Sequence, residues 1–461
     1  MKVIGDILVL GLGRSGEAVV RYAVGLIATG RISSVTAYDT ADDEGIRALA
    51  QRLEEIGCSV RLGSDRVEGE YGLCVASPGI RPSAPLMSSA LEHCGRVISE
   101  IEFAFIESPQ QWVAITGTNG KTTTTALAVH LLRAGGISAR PVGNIGSPAI
   151  TAVAESDPDE VLVAEVSSFQ LALTDRFHPR VAVLLNVTPD HIDWHGSFDQ
   201  YAADKLRVFA NLGDDDLAVV DIDDPGSAEA VNGLVAAGIP VARISRREVH
   251  PLGANAADGV LALVTPAGEL RLCREDELLI RGAHNVSNAL AAAAAAHAFG
   301  VSAADLRTGL TGFRAIEHRL ESVATIDGIE WFNDSKATNP DAVFKAIDAF
   351  AETPLIVLLG GRNKGNDFRP LARMVDKRAK AAVLFGESRH ELAAAFEGLT
   401  VQTVEAVSLA DAVEAARGLA TSGDAVVLSP ACASFDEFSS YEHRGAVFKS
   451  LVGELEGGGA L

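Results

Sequence analysis

The chain has 461 residues, 48% of them hydrophobic and 22% charged, with a formal charge of −22; at about 150 residues per domain this allows about three ordinary globular domains. So negative a balance excludes a surface built for nucleic acid or anionic lipid, both of which need a basic field, and leaves anionic ligands to local Lys and Arg. Five cysteines, Cys58, Cys74, Cys94, Cys273 and Cys432, form no C-x-x-C pair and no apolar run is long enough to cross a bilayer, so the expectation is a cytoplasmic protein without disulfides, zinc knuckles or membrane insertion.

Ile7-Leu-Val-Leu10 reads as a buried strand, followed by Gly11-Leu-Gly-Arg-Ser-Gly16, a helical pattern from Glu17 to Ala28, and a second strand over Val35–Asp39. This G-x-G-x-x-G fingerprint in a βαβ unit invites a dinucleotide site with Asp39 on a ribose. A lone fingerprint shows only that a phosphate or a close-packed helix sits there. A third strand, Gly72-Leu-Cys-Val-Ala76, ends in Ser77-Pro-Gly-Ile80, a tight turn at the strand edge where open α/β sheets bind ligands. Residues 1–100 therefore read as a Rossmann-like domain.

Residues 101–314 read as a second domain with a parallel sheet. Near its start, the apolar run after Gln111 breaks into Thr116-Gly-Thr-Asn-Gly-Lys-Thr122 and an Ala/Leu-rich helix. The strict pattern G-x-x-x-x-G-K-[ST] fails, because its first glycine falls on Ile115, yet the physics of a phosphate cradle is present. Gly117 and Gly120 allow the tight backbone, the helix start adds positive dipole, Lys121 suits the β/γ-phosphates and the Thr122 hydroxyl suits Mg²⁺. Asn144, between two glycines in Pro141-Val-Gly-Asn-Ile-Gly146, is a ligand contact or a plain loop residue. The strand Val161-Leu-Val-Ala-Glu-Val166 brings a carboxylate, Glu165, to a strand end, which is how phosphate-loop enzymes place a metal ligand. The loop Thr188-Pro-Asp-His-Ile-Asp-Trp-His195 gathers two His and two Asp that bind a metal or decorate a surface, with no zinc spacing. Lys205 falls on an amphipathic pattern, where a lysine is ordinarily solvated. The run Asn288–His297 has very high helix propensity and reads as a packed helix, with Asn285 either near a base or capping it.

Residues 315–461 read as a second Rossmann-like sheet. A strand after Glu317-His-Arg-Leu-Glu321 turns at Asp327-Gly328 and returns into Glu330-Trp-Phe-Asn-Asp-Ser-Lys-Ala-Thr-Asn-Pro340. Leu355-Ile-Val-Leu-Leu-Gly-Gly-Arg-Asn-Lys364 and Ala425-Val-Val-Leu-Ser-Pro-Ala-Cys-Ala-Ser-Phe-Asp436 follow. Polar residues gather where each strand stops, and Lys336, Lys364 and Ser434 suit a small anion.

Together, Thr116–Thr122, Gly143-Asn-Ile-Gly146, Glu165-Val-Ser-Ser-Phe-Gln170, Asn186-Val-Thr-Pro-Asp-His191, Asn333-Asp-Ser-Lys-Ala-Thr-Asn339 and Ser429-Pro-Ala-Cys-Ala-Ser434 resemble the Mur ligases over nearly the whole chain and in the family's order. The Asn333–Asn339 stretch selects the D-glutamate-adding branch over its sisters. The resemblance implies an α/β chain of three domains and an ATP-driven amide synthesis that adds D-glutamate to UDP-N-acetylmuramoyl-L-alanine in peptidoglycan precursor synthesis. It displaces the dehydrogenase reading of Gly11–Gly16. It places Arg14, Ser15, Asp39, Thr40, Gly79, Asn144 and His191 on the sugar nucleotide. ATP falls to Gly117, Thr118, Asn119, Gly120, Lys121, Thr122, Thr123, Asn285, Asn288, Arg319, Asp334 and Lys336. D-glutamate falls to Lys336, Thr338, Lys364, Ser434, Phe435 and Tyr441, the last often Phe in the family. Lys121, Glu165, His191 and Lys205 would carry catalysis, with two Mg²⁺ ions held by Thr122, Glu165, His191 and a carbamylated Lys205. The expected state is a monomer.

Overall fold

The computed structural model describes residues 5–457 apart from 315 and 351–352. Three sheets dominate, and in each the central strands are short apolar runs buried on both faces, the pattern that parallel sheets covered by helices require. The first contains β1 (Gly5–Leu10), β2 (Ile32–Asp39), β3 (Ser59–Leu62), β4 (Leu73–Ala76) and β5 (Val97–Ser99), all parallel, in the order 3-2-1-4-5. The order reverses between β1 and β4. Their carboxyl ends, Leu10 opposite Ala76, therefore open a crevice between the Gly11 and Ser77 turns.

The central sheet has nine strands: β6 (Trp112–Thr116), β7 (Ala139–Gly143), β8 (Val161–Glu165), β9 (Val181–Leu184), β10 (Leu217–Asp221), β11 (Val241–Ser245), β12 (Gly253–Asn255), β13 (Val260–Thr265) and β14 (Gly268–Arg274). Their order is 14-13-12-11-10-9-6-8-7, parallel from β12 to β7 but with antiparallel β12–β13 and β13–β14 pairings at the edge, the latter a hairpin, which a purely parallel reading of this segment does not contain. β6 lies between β8 and β9, where the order reverses, so the glycine loop after Thr116 stands at a switch point. The eight residues Ala289–Ala296 are all buried in the helix Ala283–His297, as an Ala-rich helix packed against its neighbours must be. One apolar core runs from the first sheet into the central one, with Phe105, Trp112 and Phe177 packed edge to face.

The third sheet contains β15 (Glu321–Ile326), β16 (Ile329–Asn333), β17 (Leu355–Gly360), β18 (Ala381–Phe385), β19 (Gln402–Glu405) and β20 (Ala425–Ala431), ordered 15-16-20-17-18-19. β15 and β16 form the expected hairpin, with Asp327 and Gly328 both at positive φ. β20 inserts between β16 and β17, so three strand-end loops become neighbours at one edge. The chain divides into two compact units, one of residues up to Glu277 with Ser287–Thr311, the other Leu278–Val286 with Gly312 onward. Among the described residues, no helix is long and apolar enough to cross a membrane, and all five cysteines are free thiols.

Candidate active site

The loop after β6 is shaped by its two glycines. Gly117 has φ +155° and Gly120 has φ +86°; a Cβ on Gly120 would lie 2.5 Å from Asn288 Oδ1. Only glycine fits there. The helix Lys121–Ala134 follows at once. Asn186, just past β9, braces the loop: its Oδ1 accepts the Asn119 N–H at 2.8 Å and its Nδ2 donates to the Asn119 carbonyl at 3.0 Å. Thr118 Oγ1 meets the Tyr201 hydroxyl at 2.8 Å and donates to the Thr188 carbonyl at 3.1 Å. Neither Asn186 nor Tyr201 stands out in the sequence by periodicity. Asn186 belongs to a stretch that resembles the family, which is the one signal that marks it.

Two lysines converge on one carbonyl. Lys121 Nζ donates to the Gly117 carbonyl at 2.8 Å and to that of Thr118 at 3.0 Å, and Lys205 Nζ donates to the same Gly117 oxygen at 2.9 Å. The solvated lysine expected from the helical pattern is corrected here: Lys205, on the helix Phe198–Leu206, is only 2% exposed. Burial, and then the neighbouring Lys121 charge, hold its amine well below the ordinary lysine value, opposed by Asp190. Glu165 ends β8, also 2% exposed. Its Oε1 accepts the Asn144 amide at 2.7 Å, while its Oε2 is buried with no hydrogen-bond partner. Such an orphaned carboxylate oxygen fits a cation. Asn144 is thereby resolved from a plain loop residue into the partner of Glu165; its N–H also bonds the Glu165 carbonyl at 3.0 Å.

The four His and Asp residues after Thr188 separate. His195 is buried, between Asp204 Oδ2 at 2.6 Å and Ser168 Oγ at 3.0 Å. Its imidazole value is lowered by burial, against the pull of Asp204. Asp193 pairs with Arg81 at 2.8 Å. His191, at φ +51° and half-exposed, keeps its ring against Phe169 with 4.8 Å between centroids and has Asp190 at 3.4 Å. Of the two histidines, His191 is the exposed one and His195 the buried one.

At the first sheet, a cleft of about 540 Å³ is lined by Arg14, Ser15, Asp39, Thr40, Gly79 and neighbouring residues of the Gly11 and Ser77 turns. Asp39 Oδ2 accepts the Leu12 N–H at 2.7 Å and its Oδ1 accepts that of Ala41 at 2.9 Å. The carboxylate fastens the glycine turn. Arg14 donates to the Gly146 carbonyl, joining this cleft to the Asn144 loop.

In the second unit, Asp334 is buried beyond β16; its Oδ2 accepts the Ser429 hydroxyl at 2.7 Å and its Oδ1 the Leu320 N–H at 3.3 Å. Burial pushes its carboxyl up to about 7 despite both bonds. Lys336 Nζ lies 3.7 Å from the centre of the Tyr441 ring, and Lys364 Nζ donates to Thr338 Oγ1 at 3.5 Å. Ser434 is buried, whereas Phe435 is 61% exposed. Arg444, fully buried, bonds Ser335 Oγ and the Ser335 carbonyl at 2.9 Å and the Cys432 carbonyl at 3.1 Å, tying the β16 and β20 loops together. Sequence reasoning missed Arg444, since an arginine in a terminal helix gives no sign of burial. Asn285 is no cap: its helix begins at Ala283, and its Nδ2 donates back to the Arg281 carbonyl at 2.7 Å.

Residues 115–296 match the Mur ligase middle domain, and residues 318–432 match the Mur ligase, glutamate ligase domain. A "UDP-N-acetylmuramoylalanine--D-glutamate ligase" of Pelotomaculum thermopropionicum is 42% identical over 98% of this chain and 98% of the relative. One of the same name from Koribacter versatilis is 38% identical over 97% of each. Among solved structures, a pseudomurein peptide ligase type C from Methanothermus fervidus aligns with TM-score 0.59 at 17% identity, over 98% of this chain and 99% of that one. MurF from Acinetobacter baumannii aligns with TM-score 0.59 at 17% identity, over 86% and 92%. At those identities the structures attest the shared fold.

Proposed function

This chain belongs to the Mur ligase family, and we propose that it joins D-glutamate to UDP-N-acetylmuramoyl-L-alanine in the cytoplasm, with cleavage of ATP to ADP and phosphate. The observation that carries the chemistry is the loop itself: a glycine cradle with Lys121 and Lys205 on one carbonyl oxygen, near a strand-end carboxylate whose second oxygen is unpaired. The choice of substrates is supported by the name of relatives 42% and 38% identical over nearly the full length.

The alanyl carboxylate attacks the γ-phosphate of ATP, ADP leaves, and the acyl phosphate so formed is attacked by the D-glutamate amine, which loses a proton as phosphate departs. Two unit negative charges at 4 Å repel by about 4 kcal/mol at an effective dielectric of 20. Lys121 offsets this when its ammonium exchanges the Gly117 and Thr118 carbonyls for phosphate oxygens. The amides of Gly117 to Thr123 cradle the phosphates, and Asn285, Asn288, Arg319, Asp334 and Lys336 hold the rest of the nucleotide. Thr122, Glu165 and His191, with Lys205 as a carbamate, would hold two Mg²⁺ ions. When bound, these supply charge neutralisation at the transferring phosphoryl group. Carbamylation needs a neutral amine, and the buried Lys205, depressed by desolvation and by Lys121, is suited to provide one.

In this reading, residues 1–100 take the uridine diphosphate through Arg14, Ser15, Asp39, Thr40 and Gly79, with Asn144 and His191 near the muramoyl part. Residues 101–314 take ATP, and residues 315–461 take D-glutamate. Lys336 and Lys364 match an amino acid with two carboxylates, beside Thr338, Ser434, Phe435 and the Tyr441 hydroxyl. The test is phosphate release with ATP and UDP-N-acetylmuramoyl-L-alanine, comparing D-glutamate, L-glutamate, L-lysine and diaminopimelate. Release is expected with D-glutamate alone. Equal release with any other amino acid, or without the sugar nucleotide, overturns the assignment.

A further inference from the structure

A line of hydrogen bonds that the chemistry above does not use lies beside the carboxyl edge of the central sheet. Asp204 Oδ2 is 2.6 Å from His195 Nδ1, and His195 Nε2 is 3.0 Å from Ser168 Oγ. All three residues are buried. Burial keeps the imidazole neutral, and a carboxylate only accepts, so His195 donates from Nδ1 and accepts the Ser168 hydroxyl at Nε2. Gln200 Nε2 donates to the other Asp204 oxygen at 3.0 Å, so that carboxylate is occupied on both sides. The sequence of groups is that of an activated serine, but Ser168 is only 2% exposed and no substrate reaches its hydroxyl. The line is a brace.

Each end of the brace sits beside a residue of the proposed metal site. Ser168 opens the helix Ser168–Leu171, shortly beyond Glu165 at the end of β8. His195 closes the short helix Ile192–His195, which begins directly after His191. Asp204 precedes Lys205 on the helix Phe198–Leu206. Ring contacts follow the same path: Phe169 stacks on the His195 ring with 5.4 Å between centroids and meets the His191 ring edge-on at 4.8 Å. On the other side, the His195 ring meets Tyr201 edge-on at 5.2 Å, and Lys205 Nζ lies 4.7 Å from the centre of the Tyr201 ring. We infer that His195 is a positioning residue: through Ser168 and Asp204 it fixes, relative to one another, the elements that carry Glu165, His191 and Lys205. Magnesium demands near-ideal ligand geometry, and groups behind the ligands commonly set it.

The inference rests on the proposed role of Glu165, His191 and Lys205 in holding magnesium. The experiment uses the full-length chain with Mn²⁺ in place of magnesium. Mn²⁺ affinity is measured by electron paramagnetic resonance with a non-hydrolysable ATP analogue present, alongside Tm and the KM of D-glutamate. Ser168→Ala and Asp204→Ala each remove one bond of the line and are expected to weaken Mn²⁺ binding by about 10- to 100-fold. The KM for D-glutamate, whose proposed contacts lie in the second unit, should stay within about twofold of the native chain. Asp204→Asn keeps an acceptor for the His195 N–H and should bring Mn²⁺ affinity back to near the native level. If Asp204→Ala does not fold, Ser168→Ala decides. Native Mn²⁺ affinity in Ser168→Ala, whatever its Tm, makes the line a packing feature only and overturns the inference while leaving the ligase reading intact. A native chain that binds no Mn²⁺–nucleotide complex overturns the ligase reading itself.

Discussion

The turns Gly11–Gly16 and Gly117–Gly120 both carry the chain from the carboxyl end of a buried parallel strand into the first turn of a helix, but a carboxylate fastens the first and two lysine side chains gather on the second. At the first, Asp39 occupies the Leu12 N–H at 2.7 Å, and the helix packs so closely that a Cβ on Gly16 would lie 1.8 Å from the Gly11 carbonyl oxygen. At the second, Lys121 and Lys205 share the Gly117 carbonyl. Glycine spacing reports only how tightly the backbone turns. The sign of the charge brought to the turn decides whether a terminal phosphate is welcome there, and Asp39 accepts two backbone N–H groups, one on each oxygen.

The contrast breaks most sharply at Lys121. Lys121→Ala should lower kcat/KM for ATP by about 10²- to 10³-fold, the scale for removing a group that stabilises developing charge, while equilibrium affinity for the sugar nucleotide stays at the native level. Lys205→Met should cost about 10²-fold in kcat and yet raise Tm. The sign follows from linkage: the folded amine is held below its ordinary value, so at neutral pH the unfolded chain binds the extra proton. The unmodified native chain thus gains stability as pH rises from its depressed folded value toward about 10.4, and the Met variant loses that slope in thermal melts. At the other turn, Gly16→Ala forces the helix off the Gly11 carbonyl. It should raise the KM for the sugar nucleotide by roughly tenfold, in keeping with an overpacking cost of about 1–3 kcal/mol, and leave ATP affinity unchanged in the same preparation.

The smallest effect is expected in the second unit. Asp334 holds its proton up to about 7 in the folded chain, against an ordinary 3.8. Its contribution to stability therefore declines as pH rises between those two values. Asp334→Asn removes that decline: the two proteins should melt alike near pH 4, and at pH 8 the variant should melt higher by about 2 °C or more. A difference of the same size at both pH values contradicts the assignment.

Much of this was legible in the residues. Apolar runs that stop at Gly117, Glu165, Asp334 and Ser434 gave the strands and the edge at which the polar groups collect, because parallel strands buried on both faces leave their chemistry to the loops beyond them. Burial against distant partners was not legible. The pattern around Lys205 looks amphipathic, and nothing in Tyr201-Ala-Ala-Asp-Lys-Leu-Arg207 says that Gly117 waits above it. His191 and His195 read alike until Asp204 and Ser168 claim one of them. Asn285 resembled a cap because its side chain type favours that role, and only the observed start at Ala283 moves it into the first turn. The β13–β14 hairpin escaped because its strands differ in burial, β14 being largely exposed, so no single period marks them.

The central claim is that the loop around Lys121 brings the terminal phosphate of ATP to the substrate's carboxylate. UDP-N-acetylmuramoyl-L-alanine carrying isotopically heavy oxygen in both carboxylate positions, turned over with ATP and D-glutamate, tests it through the isotopic mass of the phosphate released. The account predicts that each phosphate carries a single heavy oxygen and that the new amide keeps the other. Phosphate free of the label would contradict it, since the carboxylate would then never have been bonded to phosphorus.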